Sequence, residues 1–167
     1  ARSDQEREQT SPSERKPRKT TILPPPPDLP GAVVFDMVHE TTSFGDGRIE
    51  VNLAAFTDEN GSPLTWIEGG ERVLISAQAT MKDRITGTIA GFIIKDRLGQ
   101  PLAGDNTFVK YAHELASYEA GEKLEVRFGF TLPKLGSGRY SITVAFASGT
   151  LENHVQHCWL HDAIFFD

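Results

Sequence analysis

The chain has 167 residues, a length that allows one ordinary domain and an appended segment. Its net charge is −6, and residues 24–167 alone hold 11 Lys and Arg against 19 Asp and Glu, so the body is too acidic to favour nucleic acid as a partner. The single cysteine excludes an internal disulfide framework and is typical of a reducing compartment.

Residues 1–30 differ in composition from the rest of the chain. They lack hydrophobic periodicity, are rich in Ser, Pro and charge, and end in a run of prolines at 24–27. Because each proline ring fixes φ and removes a donor, we interpret residues 1–30 as a flexible linker, with a ligand for a proline-recognition domain as the alternative. The chain begins at Ala1 and has no apolar run near the ~18 residues of a membrane span. We therefore expect a soluble part of a longer protein, with residues 31–167 as its folded domain.

The first half of this domain contains three predicted strands. Apolar and polar residues alternate over 48–56 and again over 73–81, the pattern of strands with one buried face. Residues 58–61 between them, Asp-Glu-Asn-Gly, predict a turn. Residues 89–94 are apolar on both sides, which indicates a central strand.

The second half contains further short strands. Alternation over 126–132 and 140–146 predicts an antiparallel hairpin, with turn glycines between the two strands. Residues 163–166 predict a last short strand at the end of a long connection, and 108–119 hold at most a helical turn or two. Taken together, these elements predict an all-β fold, an immunoglobulin-like antiparallel β-sandwich of about seven to eight strands.

The sequence offers little catalytic chemistry. The phosphate-binding pattern G-x-x-x-x-G-K-[ST] is absent, so we expect no ATP hydrolysis by this chain. His154, His157 and His161 near Asp162 suggest a metal site, but in a strand His157 and His161 would lie ~13 Å apart, whereas one zinc ion needs nitrogens within ~4 Å. We expect Cys158 to be a passive, partly buried thiol. We therefore predict a protein that is not an enzyme and has no metal and no cofactor.

Several motifs in order resemble a known family. They are Gly47 to Leu53 before an Asn-Gly turn, the long segment from Gly91 to Thr107, Gly-Arg-Tyr at 138–140, and Asp-Ala-Ile-Phe-Phe at 162–166. Over residues 44–166 the chain resembles Wzt C-terminal domains, and the segment from Gly91 to Thr107 is the most specific part. In this segment Gly99 and Gly104 are expected to be turn glycines, and Thr107 to satisfy backbone groups.

The resemblance implies a function. Domains of this family follow an ATPase domain, absent here, and bind the finished O-antigen polysaccharide in the cytoplasm before export through a membrane subunit. The implied protein is a glycan-binding module at the inner face of the bacterial inner membrane, with the transporter ATPase domain and membrane subunit as partners. We also expect a homodimer, formed by exchange of the C-terminal strand. The alternative is a dimerisation or protein-docking sandwich that binds no sugar.

We place the glycan site on the outward face of the predicted hairpin and its neighbouring strand. Small residues flanked by long polar side chains would form a shallow trough there, as an extended polysaccharide requires. Trp159 is the expected aromatic platform, with His157 on the same side of its strand, whereas Trp66 is expected to pack inward. The predicted carbohydrate-binding residues are Gln78, Thr80, Lys82, Arg127, Arg139, Thr143, His157 and Trp159.

Overall fold

The structure is a computed structural model that describes residues 43–111 and 115–167. The predicted linker at 1–30 and the start of the predicted domain, 31–42, lie outside these described residues. The elements in chain order are β1 (Ser43–Phe44), β2 (Ile49–Asp58), β3 (Arg72–Met81), β4 (Thr88–Lys95), β5 (Pro101–Asn106), α1 (Thr107–Tyr111), β6 (Lys123–Thr131), β7 (Tyr140–Gly149) and β8 (His154–Phe166). No helix in these ranges is long and apolar enough to cross a bilayer.

The strands form two antiparallel sheets. One sheet has five strands in the order β1-β8-β7-β4-β5, and the other has three in the order β2-β3-β6. The predicted antiparallel sandwich is therefore confirmed.

The core lies between the two sheets and is built from alternate residues of their strands. Phe92 of β4 stacks on Phe130 of β6 with ring centroids 5.3 Å apart, and its ring also lies 5.0 Å from that of Phe128. Phe56 of β2 meets Phe166 of β8 at 4.8 Å. All three pairs join one sheet to the other, so these aromatic contacts fix how the sheets face each other.

The predicted hairpin between 126–132 and 140–146 is wrong. The segments do form strands β6 and β7, but β6 pairs with β3, whereas β7 pairs with β4 and β8. The connection between them, 132–139, crosses from one sheet to the other after the buried Leu132. Alternation shows which side of a strand is buried but does not identify its partner.

The last strand is longer than predicted. β8 runs over His154–Phe166 and follows β7 through a tight turn in which Thr150 N–H donates to Asn153 O at 3.0 Å. The predicted long connection before a short strand is therefore wrong. Two irregularities in the β7–β8 pairing interrupt the alternation of β8, which conceals the strand in the sequence.

Candidate functional site

The outer face of the five-stranded sheet carries a groove of about 340 Å³. Strands β5, β4, β7 and β8 line it, and the β7–β8 turn closes one end. Its lining residues are Ile89, Gly91, Phe92, Ile93, Gly104, Asp105, Asn106, Thr143, Ala145, Ala147, Thr150, Leu151, His154, Gln156 and Trp159.

The middle of the groove floor is made of small residues. Gly91 of β4 lies opposite Ala145 of β7, and Ala147 continues the floor along β7. A Cβ at Gly91 would lie 3.1 Å from the Cβ of Asn106, so the adjacent edge strand also packs tightly against this position. Long side chains at these positions would fill the space, whereas Gly and Ala leave it open.

Gly104 has a different role from the predicted one. It lies within β5 rather than in a turn, and a Cβ there would lie 2.7 Å from the carbonyl oxygen of Phe92. Glycine is therefore required for the close approach of β5 to β4. Gly99, with φ 78°, is a turn glycine as predicted, and Thr107 Oγ1 accepts the N–H of Ala90 at 3.0 Å, which confirms its expected role towards the backbone.

One wall of the groove is formed by Trp159 and Gln156 of β8. Trp159 lies opposite Ala145 and Gln156 opposite Ala147, so both share the outward face of the sheet. Trp159 Nε1 and Gln156 Oε1 are buried, and neither has a hydrogen-bond partner among the described residues. A buried polar atom without a partner costs about 1–3 kcal/mol, so this donor and this acceptor raise the free energy of the groove wall.

Beyond Thr143, a polar cluster holds a sharp irregularity of β8. Asp162 has φ 49°, a left-handed conformation that aspartate tolerates, and its carboxylate accepts hydrogen bonds from Ser141 Oγ at 2.7 Å and Lys95 Nζ at 2.9 Å. The Lys95 hydrogen bond is the main cause that lowers the pKa of Asp162, assisted by Ser141 against the effect of burial. The Asp162 N–H donates to Thr143 Oγ1 at 3.3 Å, which ties the cluster to the groove floor.

The β7–β8 turn supplies the end wall. Leu151 is half-exposed, and His154 Nδ1 lies 3.2 Å from the Leu151 carbonyl oxygen. Because a carbonyl only accepts, Nδ1 is the donor of this contact. Asp105 and His154 are the ionisable residues of the lining, and no Lys or Arg lines the groove in the part of the chain that the structure describes.

Comparison with known proteins decides the family. The model of the family described as "Wzt C-terminal domain" matches residues 40–167. The chain belongs to the Wzt C-terminal domain family. A solved structure, titled "Crystal structure of the C-terminal domain of wzt", is similar with a TM-score of 0.66 and 20% identity over 77% of each chain, a likeness that shows the fold. No curated protein sequence matches the chain.

Family membership confirms the sequence-based resemblance and implies a role in an O-antigen ABC transporter. Wzt C-terminal domains are non-catalytic. The part of the chain that the structure describes contains no group of three or more His, Cys, Asp or Glu that could hold a metal ion.

Four predicted site residues of this Wzt C-terminal domain lie on the opposite side of the sandwich, on or next to the three-stranded sheet. Gln78, Thr80 and Arg127 are on β3 and β6, and Lys82 follows β3. Thr80 Oγ1 donates to Asn52 Oδ1 at 2.6 Å, and Lys82 pairs with Glu50. They cannot share a trough with the outward residues of β7, because β6 and β7 belong to different sheets.

The remaining four divide between the groove and other places. Thr143 and Trp159 line the groove, whereas Arg139 precedes β7 and forms two hydrogen bonds with Asp167, at 3.0 and 3.1 Å. His157 is buried, and it does not share the outward face of Trp159 as predicted, because β8 contains a bulge at this point. Trp66 was expected to pack inward, but it is 65% exposed.

Cys158 is buried opposite Phe146, and burial raises the pKa of its thiol. A raised pKa keeps the thiol protonated near neutral pH, and a protonated thiol is a poor nucleophile.

Sequence analysis missed Gln156, His154 and the β5 residues of the groove. β5 begins with Pro101 and contains Gly104, two residues that are depleted in strands, so propensity conceals it. The row of small outward residues along β7 was a usable signal, since Ala145 and Ala147 form the floor.

Proposed function

We propose that this Wzt C-terminal domain binds the O-antigen polysaccharide of its source organism in the groove of the five-stranded sheet. The observation that carries the proposal is the buried, unpartnered pair of Gln156 Oε1 and Trp159 Nε1 in its wall, among the described residues. Sugar hydroxyls both donate and accept, so one ring can satisfy the two atoms, with the half-buried Trp159 ring as its platform. In the full transporter, this binding would recruit the polymer on the cytoplasmic side of the inner membrane to the ATPase domain and membrane subunit.

The charge of the groove favours an uncharged glycan. No Lys or Arg lines the groove among the described residues, and Lys95 on the same face of the sheet is already paired with Asp162. A uronate or phosphate on the sugar would lose hydration on entering the groove and find no cation in the described lining to compensate for it. A neutral repeat unit meets no such electrostatic cost when it enters the groove.

Saturation-transfer NMR and titration calorimetry with the cognate polysaccharide test the proposal. We expect a dissociation constant on the order of 0.1–1 mM for a short oligosaccharide, because each exposed hydroxyl gives little net energy when its water is exchanged. Saturation should transfer to the ligand from the Trp159 ring. If neither method detects binding at millimolar concentrations of repeat units, glycan binding is contradicted. If binding is detected but no groove residue is affected, the site lies elsewhere on the protein.

A homodimer remains part of the proposal. Residues 163–166 pair with β7 of the same chain, with Tyr140 opposite Phe166. In an exchanged dimer, these residues would form the same hydrogen-bonded pairing with β7 of a second copy. The long connection that first suggested exchange is absent. Light scattering after size-exclusion chromatography tests the dimer, and a monomer at all concentrations would contradict it.

A further inference from the structure

A β-bulge decides which residue of β8 faces the groove. Cys158 lies opposite Phe146, but the next residue of β7, Ala147, lies opposite Gln156, so His157 is an extra residue without a partner in the ladder. In a regular strand, His157 would lie opposite Ala147 and line the groove beside Trp159. Because of the bulge, Gln156 takes this position and His157 is buried.

The bulge is held by a short loop from the other end of the described chain, which we call the clamp loop (Gly45, Asp46 and Gly47). The N–H of Asp46 donates to Gln156 O at 3.1 Å, and the N–H of Gly47 donates to His157 O at 3.0 Å. The Asp46 carboxylate also accepts from His157 Nδ1 at 2.9 and 3.0 Å. Two backbone hydrogen bonds and one carboxylate–imidazole contact from this loop thus hold Gln156 and His157, the two residues of the bulge.

Contact between this loop and the bulge leaves no space for a side chain at Gly45. Its φ is 138°, and a Cβ there would lie 2.6 Å from both the carbonyl carbon and the oxygen of His157. Both neighbours are backbone atoms, which cannot rotate away. Glycine at this position therefore allows the clamp loop to lie directly on the bulge.

The His157 ring links this contact to the interior. A carboxylate only accepts, so Nδ1 carries a proton and donates to Asp46, and Nε2 lies in hydrogen-bond contact with Ser148 Oγ at 2.8 Å. Burial acts to raise the pKa of Asp46, but its hydrogen bonds from Arg48 N–H and His157 outweigh this effect and lower the pKa. Asp46 is therefore ionised near neutral pH, and both ring nitrogens of His157 are satisfied.

We propose that the clamp loop is a positioning element of the groove, which selects the bulged register of β8 and so presents Gln156 and His154 rather than His157 to the glycan. This inference rests on the proposed function of the groove. Without the clamp loop, residues 154–156 can slip by one position, and a slip by one residue turns each side chain of the slipped segment to the other face. The groove would then lose the Gln156 acceptor while the rest of the sandwich stays folded.

Asp46→Ala tests the proposal, with the register and the glycan affinity measured on the same full-length protein. In the ligand-free protein, cross-strand NOEs should join Ala147 to Gln156 in the wild type and to His157 in the variant. The dissociation constant for the cognate oligosaccharide should rise about tenfold, from the loss of two hydrogen-bonding side chains. Asp46→Asn keeps an oxygen acceptor for Nδ1 and should retain the wild-type register and affinity within about twofold.

Deletion of His157 in the Asp46→Ala background distinguishes positioning from general support. The deletion removes the extra residue while Cys158 and Gln156 keep their partners Phe146 and Ala147, so no bulge remains to be held. Binding should return to within about threefold of the wild type. Ser148→Ala, which removes the interior partner of His157 but leaves the clamp loop intact, is the matched control and should keep the register.

The outcomes separate this proposal from the proposed function. An Asp46→Ala protein that keeps the Ala147–Gln156 NOEs would overturn the positioning role, whatever its affinity. If Asp46→Ala does not fold, Gly45→Ala tests the same contact through its clash with His157, and a wild-type register in that variant would also overturn the proposal. A wild type that shows no glycan binding contradicts the proposed function, but the NOEs still report whether the clamp loop sets the register.

Discussion

Replacing Gln156 with methionine tests the groove with little change in shape, because the two side chains are unbranched and of similar length. The Oε1 atom of Gln156 is buried in the groove wall without a partner among the described residues. Gln156→Met removes this acceptor but keeps the volume of the wall. Gln78→Met is the matched control, since Gln78 is half-buried on the three-stranded sheet, on the other face of the sandwich.

Gln156→Met should have opposite effects on the affinity for glycan and on the stability of the protein. The hydrogen bond from a sugar hydroxyl to Oε1 is worth about 1 kcal/mol, so its loss should raise the dissociation constant about fivefold. In the ligand-free protein, the same substitution removes a buried acceptor that costs about 1–3 kcal/mol when it has no partner. The free energy of unfolding of Gln156→Met should therefore equal or exceed that of the wild type, by up to ~1 kcal/mol once water that reaches the open groove is allowed for.

Titration calorimetry gives the affinity, and urea denaturation gives the free energy of unfolding of the same samples. Gln78→Met should change the affinity by less than twofold. The opposite result, with weaker binding in Gln78→Met and unchanged binding in Gln156→Met, would refute the groove and place the site on the three-stranded sheet. Loss of stability together with affinity in Gln156→Met would refute the interpretation of Oε1 as an unsatisfied atom.

Other measurements address the charge of the groove, the Asp162 cluster, the core and the linker. A carboxylated oligosaccharide should bind the wild type at least about twofold more weakly than a neutral one, because the described lining offers it no cation, and equal affinity for both sugars in calorimetry would contradict the charge selectivity. The pKa of Asp162 is lowered in the folded state. Its contribution to the free energy of unfolding is therefore present above the unfolded pKa near ~4 and is lost as the pH falls through the folded pKa. Asp162→Asn should therefore lower the free energy of unfolding by less than ~1 kcal/mol at pH 7, because the carboxylate is half-exposed. Between pH 5 and pH 2, the free energy of unfolding of the variant should fall less steeply than that of the wild type. Parallel pH dependences of the two proteins would count against the Lys95 pair. Phe92→Ala should lower the free energy of unfolding by about 3–5 kcal/mol in urea denaturation, and a loss below ~1 kcal/mol would show that the rings joining the sheets carry little of the stability. Deletion of residues 1–29 should leave the melting temperature unchanged, since these residues have few apolar groups to bury, and a large drop would show that they dock on the domain.

Local patterns in the sequence located most strands. Alternation over 48–56 and 73–81 corresponds to β2 and β3, and the doubly apolar run at 89–94 corresponds to β4, a strand flanked by β5 and β7. These predictions succeed because the alternation of buried and exposed side chains is a property of a single strand. The predicted turn at 58–61 also forms, and Asp58 Oδ1 accepts the N–H groups of Asn60 and Ser62, both at 2.8 Å.

Pairing between strands is a property of the whole chain, and there the sequence was insufficient. The sequences of β6 and β7 do not show that these strands belong to different sheets. The predicted hairpin therefore put on one surface two outward faces that lie on opposite sides of the molecule. Half of the predicted site residues were consequently placed on the wrong sheet to share a groove with Thr143 and Trp159. Irregular strands were the second difficulty, because bulges in β8 and the Pro and Gly of β5 disguise them.

The sequence by itself determined an acidic all-β domain with the motifs of its family, and it singled out the small residues of β7 and Trp159, which line the groove. The tertiary structure decided which side chain stands beside Trp159. Regular alternation selects His157, but Asp46, 111 residues away in the chain, binds the His157 ring and holds it as the extra residue of a bulge. Gln156 reaches the groove for this reason. No local pattern encodes that choice, because it depends on a loop and a strand that meet only in the folded protein.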